Sequence, residues 1–203
     1  MTYLIHHPGI IVARLGEHMV LTFGSLAIAL IIALPLGVLV ARSRLLSGPV
    51  LGVLGVIYTI PSLALLAFLV RVFGLGTLTA IVALVAYAQM ILVRNIAAGL
   101  RGVDPAQLEA ANGLGYTRLQ RLMRIEFPQA LPVIIGGIRI ATVSLIAVAT
   151  VAAFIHAGGL GDLLFDGIHQ DDPQKIVAGS IAAAALAIVA DTLLRRAELL
   201  VRR

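Results

Sequence analysis

Residues 109–128, EAANGLGYTRLQRLMRIEFP, decide the fold. The stretch is polar and carries Arg118, Arg121 and Arg124, yet it stands in a membrane-like chain of 203 residues that is 60% hydrophobic and only 12% charged. Mean hydropathy is +1.05, and a soluble domain carries about twice that charged fraction. A helical insert that stays in water between two spans usually serves to touch another protein. Its local chemistry predicts two short helices. Asp104-Pro105 is a helix start, an acidic cap followed by proline at the first helical position. Strong helix formers continue through 106–112, and Gly113 and Gly115 supply a stop and a turn. Thr117 caps a second helix over 118–126, which Pro128 is expected to end. Ala110 and Ala111 allow close backbone approach by a partner, and Glu109 supplies a charge. The alternative is an amphipathic helix lying on the membrane surface with its arginines toward lipid phosphates.

On either side of the insert, apolar runs recur at about 20 residues, the length that crosses a bilayer as a helix. Five spans are expected, at about 19–41, 50–70, 77–93, 132–154 and 176–194, with the insert at about 101–131. The fold class is therefore an all-α membrane protein with one transmembrane domain over 19–194, a segment 1–18 before it and a tail 195–203 after it. Prolines 35 and 61 fall inside spans, where bundle neighbours re-satisfy the freed carbonyls. No cleavable signal peptide is expected, because 1–16 is polar and His-rich while the first apolar run is long enough to span. There is no cysteine, so disulfide and thiol chemistry are excluded.

The formal charge of +5 does not point to nucleic acid, because the arginines form a topology signal. With the insert in the cytoplasm, Arg42, Arg44, Arg94, Arg101, Arg118, Arg121, Arg124, Arg195, Arg196, Arg202 and Arg203 all fall inside. The opposite side receives Arg14, Arg71 and Lys175 together with Asp162, Asp166, Asp171 and Asp172. Five spans then place the N-terminus outside and the C-terminus inside. Arg139, just within the fourth span, is expected to snorkel toward the inner surface.

The spacing Glu109-Ala110-Ala111, three residues, Gly115, nine residues, Ile125-Glu126-Phe127-Pro128 resembles the EAA loop of ATP-binding-cassette (ABC) importer permeases. That family's pattern ends in Ile-x-Leu-Pro, so Phe127 is an apolar departure. Residues 57–70 (IYTIPSLALLAFLV), 73–76 (FGLG), 95–102 (NIAAGLRG), 103–111 and 152–167 (AAFIHAGGLGDLLFDG) resemble the permeases of osmoprotectant importers, which take up glycine betaine, choline, carnitine or proline betaine. Methionine-importer permeases share the five-span plan and a Gly-Gly-Leu-Gly segment, so an amino-acid importer is the alternative. The resemblance implies the small type I importer permease fold. It also implies a second permease subunit, identical or paralogous, a pair of ATPase subunits beneath, and an external substrate-binding protein. The membrane implied is a bacterial or archaeal cytoplasmic (inner) membrane. Glu109, Ala110, Ala111, Leu114, Gly115 and Arg118 would couple the ATPases to the bundle.

The chain is expected not to be an enzyme. It has no Gly-x-x-x-x-Gly-Lys-Ser/Thr loop, no His-Glu-x-x-His and no Gly-x-Ser-x-Gly. Ser25, Ser62 and Ser144 lie in spans without a histidine expected in a span core. ATP and Mg are therefore expected on the partner ATPase, with no cofactor or metal on this chain. A secondary transporter or channel is kept as a different class. His6 and His7 read as a solvated tail or, less simply, a metal site. His156 and His169 flank the acidic segment as a plain polar loop or a pH-sensitive one. Candidate pathway residues are Tyr58, Pro61, Ser62, Tyr87 and Gln89, although the tyrosines also suit packing and Gln89 suits an interhelical hydrogen bond. Gly158, Gly159, Gly161 and Asp162 are candidates for an external gate or binding-protein contact, or merely a connecting loop, with a short helix at about 160–168. Asp191 and Arg195, i and i+4, read as an interfacial ion pair or, for Asp191, a proton relay. Without tryptophan, and with only Tyr58 and Tyr87 in spans, an aromatic cage for a quaternary ammonium is not legible here. Selective binding is expected on the external protein.

Overall fold

A computed structural model describes Tyr3 and residues 6–201. Arg202 and Arg203 of the expected basic tail lie outside the described residues. In chain order the helices are α1 (Pro8–Arg42), α2 (Arg44–Thr59), α3 (Ser62–Phe73), α4 (Thr77–Arg101), α5 (Pro105–Gly113), α6 (Arg118–Arg121), α7 (Phe127–Val151), α8 (Leu160–His169) and α9 (Pro173–Val201). A π-turn over Leu122–Glu126 joins α6 to α7, and a 3-10 turn over Ala152–Ile155 follows α7. No strand forms among the described residues.

The helix α4 is the centre. It packs on α1 and α7, and α9 covers the far side of α7. The α1 face that meets α4 is built of small and polar groups, Thr22, Ser25, Ala29, Ala33 and Gly37, all buried and three or four residues apart. That spacing puts them on one side of a helix. A Cβ at Gly37 would stand 2.5 Å from Ile96 Cγ2, so only glycine admits Ile96 at this crossing. Small residues at helix contacts are how bundles pack in lipid, where apolar side chains gain nothing by leaving the solvent.

Among the described residues, four helical stretches are long and apolar enough to span: Pro8–Arg42, Thr77–Arg101, Arg118–Ile155 and Pro173–Val201. The expected second span, 50–70, is not one helix. It is α2 and α3, bent by 98°. Pro61 has no N–H to continue α2 and forces Ile60 into the extended conformation, at φ −64° and ψ 128°. The pair still carries the chain from one end of the bundle to the other. Arg101 at the end of α4 reaches Ser47 of α2, whereas Gly76 at the start of α4 donates to the carbonyl of Ile155 beyond α7. The chain thus passes between the ends five times, the second time in two pieces.

Other boundaries also differ from the sequence reading. Helix α1 begins at Pro8 rather than 19, so most of segment 1–18 is the first turns of a long helix. Pro128 does not end a helix but falls in the first turn of α7, directly after the π-turn. Helix α9 runs on to Val201, through the expected tail.

Candidate coupling site

The insert is a helix–turn–helix. Asp104 caps α5 through the Ala106 N–H at 2.9 Å. The helix closes with the Tyr116 N–H on the Ala111 carbonyl at 3.1 Å, around Gly115 at φ +76°. This is the glycine-terminated helix end that satisfies the last carbonyls. Thr117 and Gln120 form a reciprocal capping box that starts α6. Both caps foreseen in the sequence are present.

Glu126 anchors this unit to the bundle. It is 4% exposed. Its carboxylate accepts from Arg121 Nε at 2.8 Å and from Arg42 Nη2, at the end of α1, at 3.0 and 3.1 Å. Arg121 Nη1 also reaches Asn112 Oδ1 of α5 at 2.9 Å, and Gln129 donates to Gln107. One buried carboxylate therefore ties the insert to both α1 and α7. The π-turn that presents Glu126 closes with the Phe127 N–H on the Leu122 carbonyl, a local widening often found where a helix carries a special task.

The outer surface of the unit is uncovered and partly apolar. Leu114, Leu119 and Met123 are 79%, 68% and 60% exposed. Glu109, Ala110, Gly115 and Arg118 are exposed beside them. Ala111 is the correction: it is buried, so it packs the insert, and of the two alanines only Ala110 leaves a partner room. Glu126, Leu119 and Met123 were missed in the sequence. Glu126 is the lone acid just after arginines at 118, 121 and 124, and Leu119 and Met123 are spaced i, i+4 in a segment that must be wet; both are signals a sequence can carry.

The pathway candidates separate. Tyr58 and Tyr87 meet edge-on at 6.1 Å, and the Tyr87 hydroxyl donates to the Ile60 carbonyl that the Pro61 break leaves free. Pro61 and Ser62 flank that point. Gln89 is turned elsewhere, its Nε2 on the Ala29 carbonyl of α1 at 3.1 Å.

At the opposite end, Gly158 and Gly159 take positive φ, and the Gly159 N–H donates to Glu17 Oε2 at 2.9 Å. Arg14 bridges Glu17 and Asp162, both at 2.8 Å. A Cβ at Gly161 would stand 2.0 Å from the Thr150 carbonyl, so α8 lies hard against α7. Burial pushes the Asp162 carboxyl up from its ordinary range, against the pull of Arg14. A pocket of about 810 Å³ opens here, lined by Arg14, Glu17, Asp162, His156 and His169 among others. His18 beneath it, one residue before the expected first span, is wholly buried. Its Nε2 lies 3.1 Å from the Ile146 carbonyl and its Nδ1 has no hydrogen-bond partner, so no nucleophile is paired with it.

Asp191 does not pair with Arg195. Arg139 holds Asp191 at 2.9 Å and Glu198 at 2.7 Å, clamping α7 to α9. No group of His, Cys, Asp or Glu with metal-binding geometry occurs among the described residues.

The described residues thus form a polytopic helical bundle with a polar, anchored helix–turn–helix at one end. Residues 33–203 match the binding-protein-dependent transport system inner membrane component family, and the chain belongs to it. It is 38% identical over 198 residues, 98% of this chain and 91% of the relative, to the glycine betaine/carnitine/choline transport system permease protein OpuCB of Bacillus subtilis (strain 168). It is 40% identical over 201 residues, 97% and 94% of the two chains, to the osmoprotectant import permease protein OsmW of Salmonella typhimurium (strain LT2). A solved inward-facing structure of the MetNI methionine ABC transporter matches with a TM-score of 0.87 at 23% identity, over 96% of this chain and 97% of that one, and shows the shared fold.

Proposed function

We propose that this chain is the membrane permease subunit of an ABC importer for osmoprotectants such as glycine betaine, choline or carnitine. The observation that carries the reading is end-to-end similarity, at 38% and 40% identity, to permeases named for those solutes. In this reading ATP and Mg bind a separate pair of ATPase subunits, and a second permease subunit completes the path. An external binding protein selects the solute. The exposed Leu114, Leu119 and Met123 with Glu109 supply a surface for the ATPase, and the Glu126 anchor supports rigid transfer of its motion to α1 and α7. Linkage requires that this surface touch the ATPase pair differently in its open and closed states. The arginine-rich end carries Arg42, Arg44, Arg101 and the insert, and the other end carries Arg14, Arg71 and Lys175 together with Glu17, Asp162, Asp166, Asp171 and Asp172. This asymmetry supports the insert and C-terminus inside and the N-terminus outside.

The test is ATP hydrolysis by this chain co-purified with its ATPase subunit in lipid nanodiscs, with candidate binding proteins added. Stimulation by a betaine- or choline-loaded binding protein is the expected result. Stimulation only by an amino-acid-loaded protein would move the substrate, and failure to retain any ATPase would return the chain to a secondary transporter or channel.

A further inference from the structure

We propose that the pocket lined by Ala41, Arg42, Arg44, Ser47, Gly48 and Arg101 binds the phosphate headgroup of an anionic phospholipid. The pocket encloses about 560 Å³ where α1 ends, α2 begins and α4 ends. Its charge is positive and largely uncompensated. Arg101 is held by neutral acceptors, with Nη2 2.5 Å from the Val40 carbonyl and 3.0 Å from Ser47 Oγ, and Nε 3.4 Å from the Ala41 carbonyl. Arg42 shares the single carboxylate of Glu126 with Arg121. Arg44 is exposed and has no ion-pair partner among the described residues. Of these four arginines, only Arg42 and Arg121 meet a carboxylate among the described residues, and they share one. The first turn of α2 also lines the pocket and adds the partial positive charge of a helix N-terminus.

A soluble anion would use only this charge. The surroundings offer more. Leu45, next to Arg44, is 84% exposed. No residue of α2 is buried. Along it Gly48, Gly52 and Gly55 open onto empty space, with nothing within 4 Å of the position a Cβ would take. An uncovered apolar face therefore runs on from the charged pocket at the end of three spanning segments. A phospholipid matches both parts: the phosphate sits among Arg42, Arg44 and Arg101, and an acyl chain lies along Leu45 and the glycine-lined side of α2. Basic pockets between helix ends at an anionic leaflet recognise headgroups in this way.

The experiment is native mass spectrometry of the intact transporter, this chain with its ATPase subunits, equilibrated with phosphatidylglycerol or phosphatidylcholine. Retention of phosphatidylglycerol over phosphatidylcholine is expected in the wild type. Arg44→Gln should lower phosphatidylglycerol retention about fivefold, the ratio that about 1 kcal/mol per arginine at an anionic surface corresponds to. Arg94→Gln, which removes an exposed arginine outside the pocket, should leave it unchanged. Excess inorganic phosphate should not displace the lipid. Equal retention of the two lipids, an unaffected Arg44→Gln or equal losses in both variants would overturn the proposal. Displacement by inorganic phosphate would overturn it too, by making the pocket a soluble-anion site. The wild-type lipid preference is read without any variant.

Discussion

Gly115 and Glu126 do different work within one short insert. Gly115 holds φ +76°, a conformation in which a Cβ meets the following carbonyl at a cost of ~1–2 kcal/mol. Nothing lies within 4 Å of its Cβ position, so the cost of a small side chain there is in the backbone and not in a clash. Gly115→Ala is therefore expected to insert and fold normally while tilting the equilibrium of the turn about 5- to 30-fold. Reduced recovery of the ATPase subunit on co-purification, at unchanged permease level, is the readout. Glu126 is a matter of charge. Replacing it by Gln leaves Arg42 and Arg121 facing each other without a carboxylate. Breaking a buried pair costs ~3–5 kcal/mol. The Arg42 side chain is 35% exposed, so solvent returns part of that and a loss of ~2 kcal/mol is expected. Thermal unfolding of the purified chain checks the value, and a midpoint equal to wild type would remove Glu126 as the anchor.

Helix boundaries and helix contacts follow from backbone chemistry more than from hydropathy. The 98° bend between α2 and α3 traces to Pro61, which cannot continue α2, and the Tyr87 hydroxyl satisfies the Ile60 carbonyl left open at the break. The α7–α9 contact rests on Arg139, which joins Asp191 and Glu198, seven residues apart on one face of α9. Arg139→Ala and Asp191→Ala should each destabilise, and the double variant should lose less than the sum, with a coupling of about 1–3 kcal/mol in a double-mutant cycle. Arg195→Ala should stay within about 0.5 kcal/mol of wild type, as an exposed surface change. Strict additivity of Arg139 and Asp191 would contradict the clamp.

Taken whole, the molecule is a charge-asymmetric bundle with the insert at one end and α8 at the other. The absence of cysteine makes the orientation directly measurable. Leu119→Cys in the insert and Ile168→Cys in α8, both well exposed, should be labelled by an impermeant maleimide from opposite sides of the membrane. Leu119→Cys should react only after the inner face is opened, and Ile168→Cys in intact cells. The reverse pattern would invert the topology, and same-side labelling would break the five-pass reading.

Composition and local signals alone determined much of this protein. Apolar runs of spanning length, the caps at Asp104 and Thr117 and the turn at Gly115 are local, because each depends on a few neighbouring residues whose backbone preferences are strong. The exposed side of the insert was only half legible, since the same alanine pair points one residue out and one in depending on how the helix rolls against the bundle. Tertiary structure alone decided the partners of charged groups. Arg139 finds Asp191 across 52 residues and Arg42 finds Glu126 across 84, whereas sequence spacing suggested only the neighbour at i+4. His18 is buried because the Gly158–Gly159 loop, far along the chain, lies against α1 at Glu17 and His18. Long-range pairing of this kind is set by which helices pack together, and a linear pattern of hydrophobicity does not contain it.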